Sequence, residues 1–158
     1  MSNLNKIGLD QEKSVELVSQ LNELLANYSV FYQNVRGYHW NVTGSNFFEL
    51  HVKFEELYND LFLKIDEVAE RILTLGSRPL HRYSDYATKS TIKESNEGAN
   101  GLNAVSEILD AFQNLILKQR EILEFAGDLG DEGTNALMSD YIREQEKLVW
   151  MYSAYLGK

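Results

Sequence analysis

From residue 47 to residue 75 the apolar side chains recur at Leu50, Phe54, Leu57, Leu61, Ile65, Val68, Ile72 and Leu75. Steps of three and four are the mark of a helix with one buried face. The stretch is therefore expected to be one long amphipathic helix, which needs other helices to pack against. Gly76, with Pro79 shortly after, ends it. Asn46, with Glu49 three residues on, is the expected cap at its start. A second stripe runs along the same helix: His51, Glu55, Tyr58, Phe62, Asp66, Glu70. It lies about 100° round from the apolar stripe, because each residue turns the helix by that angle.

Within that stripe His51 and Glu55 are four apart, and so are Asp66 and Glu70, which places each pair on one face. His39 lies just upstream, beyond a turn at 41–45 in which Gly44 suits a positive φ. Imidazole and carboxylate donors suit iron, zinc or manganese and not a thiolate site. The plainer reading is a set of solvated charges on a helix. Two pairs in phase, joined by two of the three histidines in the chain, favour ligands.

The pairs cannot serve one ion within one straight helix, since fifteen residues span about 22 Å at 1.5 Å per residue. A two-fold copy of the helix, running antiparallel with its axis near Asp60 and Leu61, resolves the difficulty. His51 and Glu55 of one subunit then face Asp66 and Glu70 of the other, twice over, with Tyr58 and Phe62 packed between. Two-fold interfaces are self-complementary in this manner. The spacing thus predicts a metal site shared between subunits and absent from the monomer.

The remaining sequence supports a helical domain. One domain is expected for 158 residues, 44% hydrophobic and 25% charged, and a single proline favours long helices. Further helices are expected at about 10–38, 102–126 and 134–156, with 1–9 a loose tail. Leu17, Leu21, Leu24, Tyr28, Phe31 and Val35 mark the buried face of the first. Leu102, Val105, Leu109, Phe112, Ile116 and Leu123 are apolar positions of the third. His39 falls at or just past the end of the first helix. The polar stretch 76–101 is long for a connection in a bundle, and HRYSDYA within it suggests a short helix. His81, in that stretch, is read as a surface or structural group. With no cysteine there is no disulfide. MSNLNKIGLDQEK has no apolar core of a signal peptide, and no run of eighteen apolar residues occurs. A cytoplasmic setting without a membrane span is expected. Neither a Gly-rich phosphate loop, nor H-E-x-x-H, nor the E-x-x-H pattern of intrasubunit di-iron sites is present.

His39-Trp40, Gly44, Phe47, Leu50, His51, Glu55, Asp66, Glu70 and Arg71, with LVWMYSAYLGK at the C-terminus, resemble the Dps family of mini-ferritins (DNA-binding proteins from starved cells). The likeness covers nearly the whole chain. It implies an all-α, ferritin-like four-helix bundle whose second and third long helices are joined by a long crossover. It also implies a hollow homo-dodecamer built from two-fold dimers. Ferroxidase centres would lie at the dimer interfaces, with His39, His51 and Glu55 from one subunit and Asp66 and Glu70 from the other. Two iron ions per site would pass from Fe²⁺ to Fe³⁺ with H₂O₂, or O₂, as oxidant, and ferric mineral would be stored inside. Zinc would compete for the same donors. Glu55 stands where many members have Asp, and the longer side chain still reaches a metal.

Trp40 is read as a core or interface aromatic, or as a residue beside the metal that intercepts oxidising equivalents. Asp128, Asp131 and Glu132 are read either as caps of the last helix or, by resemblance, as the acidic lining of a pore. Ala136 stands where some relatives carry an acid. Asp60 and Glu67 are candidate nucleation or interface charges. The net charge is −9, so twelve copies would carry about −108, a field that repels polyanions. Lys6 and Lys13 are balanced by Asp10 and Glu12, so there is no lysine-rich arm before Ser14. Direct DNA binding is therefore disfavoured. The rivals to a ferroxidase cage are a DNA-compacting nucleoid protein and a non-catalytic oligomeric interaction protein.

Overall fold

The structure, a computed structural model, describes residues 3–158. Its four long helices are α1 (Gln11–Asn41), α2 (Phe47–Thr74), α4 (Gly101–Leu129) and α5 (Glu132–Tyr155), with a short α3 (Tyr83–Lys89) in the crossover. Two hairpins, α1 with α2 and α4 with α5, pack through α1 and α4 into an all-α four-helix bundle, the architecture that the resemblance implies. The core face of α1 is the expected one, with Leu17, Leu21, Leu24, Tyr28, Phe31 and Val35 all buried. Leu50, Phe54, Leu57, Leu61, Val68, Ile72 and Leu75 do the same for α2.

The apolar positions of the third long helix divide between core and surface. Val105, Phe112 and Ile116 are buried, but Leu109 and Leu123 are only partly so and Leu102 is exposed. The inner face instead centres on Ile108, Leu115, Ile122 and Ala126. Apolar residues occupy two neighbouring faces of α4, and periodicity cannot decide between them. Helix ends also moved. α1 continues through His39 and Trp40 to Asn41, and α4 runs through Gly127 to Leu129 before Gly130 closes it at φ 84°. The loop expected at 127–133 thereby shrinks to two residues.

Asp10, Asn100 and Asp131 cap α1, α4 and α5 by accepting the backbone N–H three residues on, at 2.9, 3.0 and 3.0 Å. Asn46 precedes α2 but makes no side-chain cap, and Glu49 accepts from the Tyr155 hydroxyl at 3.4 Å instead. The expected capping box is absent, and the end of α5 lies beside the start of α2 there. Residues 1–9 were expected as a loose tail, and residues 1 and 2 lie outside the described residues. Residues 3–9 form a closed turn: Asn5 Oδ1 accepts from the amides of Ile7 and Leu9, and Gln11 donates its amide to Asn3 O.

The crossover is ordered by side chains that satisfy its backbone. Asn27 accepts from the Thr91 amide at 2.9 Å. Asn34 accepts from the Ser95 amide at 3.0 Å and donates to Lys93 O at 2.9 Å. From α4, Glu107 receives the hydroxyls of both Tyr38 and Ser95. Gly101 then starts α4 directly beneath Leu50, where any Cβ would collide with the leucine side chain. Among the described residues, no helix is long and apolar enough to cross a membrane.

Candidate metal centre

The last turn of α1 and the second turn of α2 lie side by side, and each holds the other's histidine. His39 Nδ1 is 2.6 Å from His51 O, and His51 Nδ1 is 2.7 Å from His39 O. A carbonyl oxygen only accepts, so both Nδ1 atoms carry the proton and donate. In the neutral ring this leaves Nε2 as the lone-pair nitrogen of both residues. Metal-binding histidines are commonly fixed in this way, through the ring N–H that faces away from the ion.

Ring packing completes the cradle. The two imidazoles stack at 3.8 Å and 14°. Phe47 stacks on the outer side of His51 at 4.9 Å, and Tyr58 sets its edge against His39 at 5.4 Å. His39 is buried and His51 half-buried. His39 Nε2 lies 3.6 Å from Glu55 Oε1, and Glu55 is exposed. The structure therefore brings His39, His51 and Glu55 together, two imidazoles and one carboxylate.

Asp66 and Glu70 stand further along the same unbroken helix, both exposed. Their side chains make no hydrogen bond or ion pair among the described residues. Within one chain, among those residues, no group of three or more His, Asp or Glu side chains is arranged to hold a metal ion. Between the two pairs the outward side of the helix carries Phe62 and Leu63, 59% and 62% exposed. Apolar side chains this open, flanked by the candidate ligands, are of the kind that partner surfaces cover.

Trp40 is not a core residue. It is 56% exposed, with the Arg36 guanidinium 4.8 Å over its ring and 5.4 Å over that of Tyr32. Tyr32 in turn meets Tyr58 edge-on at 6.0 Å. Of the three candidate pore acids, Asp128 and Glu132 are exposed, but Asp131 is 2% exposed. Its carboxylate caps Thr134 and pairs with Arg71 at 2.7 Å, as the capping reading expects. His81 is exposed, as expected.

Other polar groups turned inward without being foreseen. Lys64 is buried between Asp60 at 3.0 Å and Glu144 at 3.2 Å, with its ammonium 5.1 Å over the Tyr141 ring. Its position in phase with Leu57, Leu61 and Val68 was the signal for burial. Glu67 accepts from the Tyr141 hydroxyl at 2.9 Å. Burial and that hydrogen bond push the Tyr141 phenol well above its ordinary range. Deeper still, Tyr28, Gln119 and Gln145 close a ring of hydrogen bonds in the bundle core.

Comparison with known proteins follows the same lines. A model of the ferritin-like domain matches residues 18–158. The chain is 57% identical to an uncharacterised protein of Haemophilus influenzae, over 94% of this chain and 92% of that one. It is 44% identical to the DNA protection during starvation protein of Porphyromonas gingivalis, over 98% of each. Among solved structures, the Dps protein of Vibrio cholerae O1 superposes with a TM-score of 0.96 at 58% identity, covering 99% of this chain and 98% of that one. That protein is described as one of a broad superfamily of ferritin-like diiron-carboxylate proteins. Dps from Staphylococcus aureus gives 0.85 at 36% identity, over 89% and 94%.

Proposed function

The chain belongs to the Dps family of ferritin-like proteins, and on that premise we propose that it is a ferroxidase and iron store whose catalytic centre is shared by two subunits. Membership carries the coarser statement that it is an iron-handling, protective protein of the ferritin-like diiron-carboxylate class. The finer reading rests on one observation. The end of α1 and the start of α2 bring two imidazoles and one carboxylate together, and two carboxylates without a hydrogen bond or ion pair among the described residues stand toward the other end of α2.

An antiparallel second copy brings Asp66 and Glu70 of one subunit to His39, His51 and Glu55 of the other, and covers Phe62 and Leu63. Two such sites form per dimer, and six dimers close a shell of twelve. Fe²⁺ is the substrate. The imidazole nitrogens keep affinity for Fe²⁺, and the three carboxylates favour the harder Fe³⁺ and so ease its loss of an electron. Two ions side by side deliver both electrons that peroxide needs: 2 Fe²⁺ + H₂O₂ + 2 H⁺ → 2 Fe³⁺ + 2 H₂O. No hydroxyl radical has to leave the site. Ferric product then hydrolyses inside the shell to an oxyhydroxide. Asp128 and Glu132, exposed at the α4–α5 turn, are the acids proposed to draw cations inward. Zinc competes for the same donors, and the cytoplasm is the proposed setting.

Stopped-flow oxidation at two Fe²⁺ per subunit, with H₂O₂ or O₂, tests the reading. The expected result is fast oxidation by peroxide that vanishes in a His51→Ala, Asp66→Ala protein. Equal traces would overturn it. Protection by coating DNA is disfavoured by the charge of −9 per chain. Retarded DNA in a low-salt gel shift at neutral pH would reverse that judgement.

A further inference from the structure

Lys64, Glu67 and Arg71 follow at steps of three and four along α2, on a face about 100° round the helix from Asp66 and Glu70. Each reaches across to α5. Lys64 pairs with Glu144, Glu67 accepts from Tyr141, and Arg71 makes two bonds: Nη2 to Asp131 at 2.7 Å and Nε to Thr134 Oγ1 at 2.8 Å. The partners run in reverse order along α5, so the two antiparallel helices are joined by a ladder of polar side chains. The Arg71 rung is the most enclosed at the acid end. Asp131 is 2% exposed and is also the cap of α5.

The guanidinium rests on the backbone of Gly133. A Cβ there would lie 2.7 Å from Nη2, 2.9 Å from Nη1 and 3.0 Å from Cζ. The end of an arginine usually swings aside from such a contact. Here it cannot do so without surrendering the bonds to Asp131 and Thr134. The bare α-carbon at 133 is thus part of the seat.

We propose that Arg71, seated on Gly133 by Asp131 and Thr134, is a positioning residue for the Asp66 and Glu70 half-centre. Those two carboxylates have no hydrogen bond or ion pair among the described residues, so their placement is inherited from the α2 backbone. α2 ends at Thr74, one turn beyond Arg71, and this rung is the last polar bond holding that end against α5. The same rung fixes the half-centre relative to the turn that presents Asp128 and Glu132. The inference rests on the shared centre proposed above.

The test uses Co²⁺ as a spectroscopic probe of the assembled protein, without oxidant. Gly133→Ala keeps every ligand and every charge. It is expected to weaken Co²⁺ binding about tenfold, the scale of a lost outer-shell partner, and to change the visible ligand-field band, with oligomer size and helix content unaltered. Asp131→Asn, which keeps the cap but loses the charge, is expected to do the same and carries the test should Gly133→Ala not assemble. In an Arg71→Ala background Gly133→Ala should add nothing. Wild-type affinity and band in both variants would overturn the proposal. So would an undiminished Gly133→Ala effect in the Arg71→Ala background. Asp66→Ala separates the two levels: if it abolishes the band while the seat variants leave it unchanged, only the positioning role falls. If Asp66→Ala leaves the band unchanged, the shared centre falls and this inference with it.

Discussion

The two ends of α2 carry ligands of the same proposed centre and are built in opposite ways. At the N-terminal end His39 and His51 are locked by reciprocal bonds to each other's backbone and boxed between Phe47 and Tyr58. At the C-terminal end Asp66 and Glu70 stand in the open, anchored only through the helix beneath them. The difference follows from the chemistry of the donors. An imidazole offers one lone pair in one direction, and only when the proton sits on the other nitrogen. A carboxylate offers several acceptor directions and a full charge, so it tolerates a looser mount. The half that must be aimed is aimed within one chain. The half that need only be present is left for a second copy to meet.

This contrast can be broken most directly by kinetics. Losing a ligand from either end, His51→Ala or Asp66→Ala, is expected to slow peroxide-driven Fe²⁺ oxidation by about 100-fold or more, because neither half suffices. A variant that keeps wild-type rates would remove its end from the centre. Thermal unfolding should then separate the ends. His39→Ala deletes a buried hydrogen bond and a ring stack and is expected to cost about 2–3 kcal/mol. Asp66→Ala removes an exposed, unpartnered charge and should stay within about 0.5 kcal/mol of wild type. Equal losses would mean that the acid end is also packed.

A finer effect lies at Glu55, which faces His39 from the exposed side. Shortening it, Glu55→Asp, keeps the charge and the donor, and the expected loss in rate is less than about tenfold. The smallest effect concerns neither end. Tyr28, Tyr38, Tyr141 and Tyr152 are held above the ordinary phenol range, first of all by burial. An unfolded chain sheds those protons at about pH 10, before the native state does. Stability should therefore be full below about pH 10 and decline above it. A urea midpoint that rises above that pH would contradict the assignment.

Much of the fold was legible because periodicity is a local property. The α1 stripe from Leu17 to Val35 and the α2 stripe from Leu50 to Leu75 could be read directly. The inner face of α4 could not, since Leu109, Leu117 and Leu123 extend its apolar surface beyond what the core uses. At the site, residue types and spacing pointed to His51, Glu55, Asp66 and Glu70. The tautomer lock between His39 and His51 depends on the approach of two helices across a turn, and nothing local encodes it. Arg71 and Asp131 lie sixty positions apart. Asp131 accordingly read as one of three acids in a loop, when burial sets it apart from its neighbours.

The central claim is that each site takes its halves from two chains, and subunit mixing tests it most directly. His51→Ala and Asp66→Ala chains, each inactive alone, would be co-expressed with different tags and purified as mixed assemblies. In every antiparallel heterodimer one site carries both lesions and the other carries none. Random pairing should therefore restore about a quarter of the wild-type sites, read as burst amplitude of Fe²⁺ oxidation by peroxide. Mixed assemblies as inactive as either parent would contradict a shared centre.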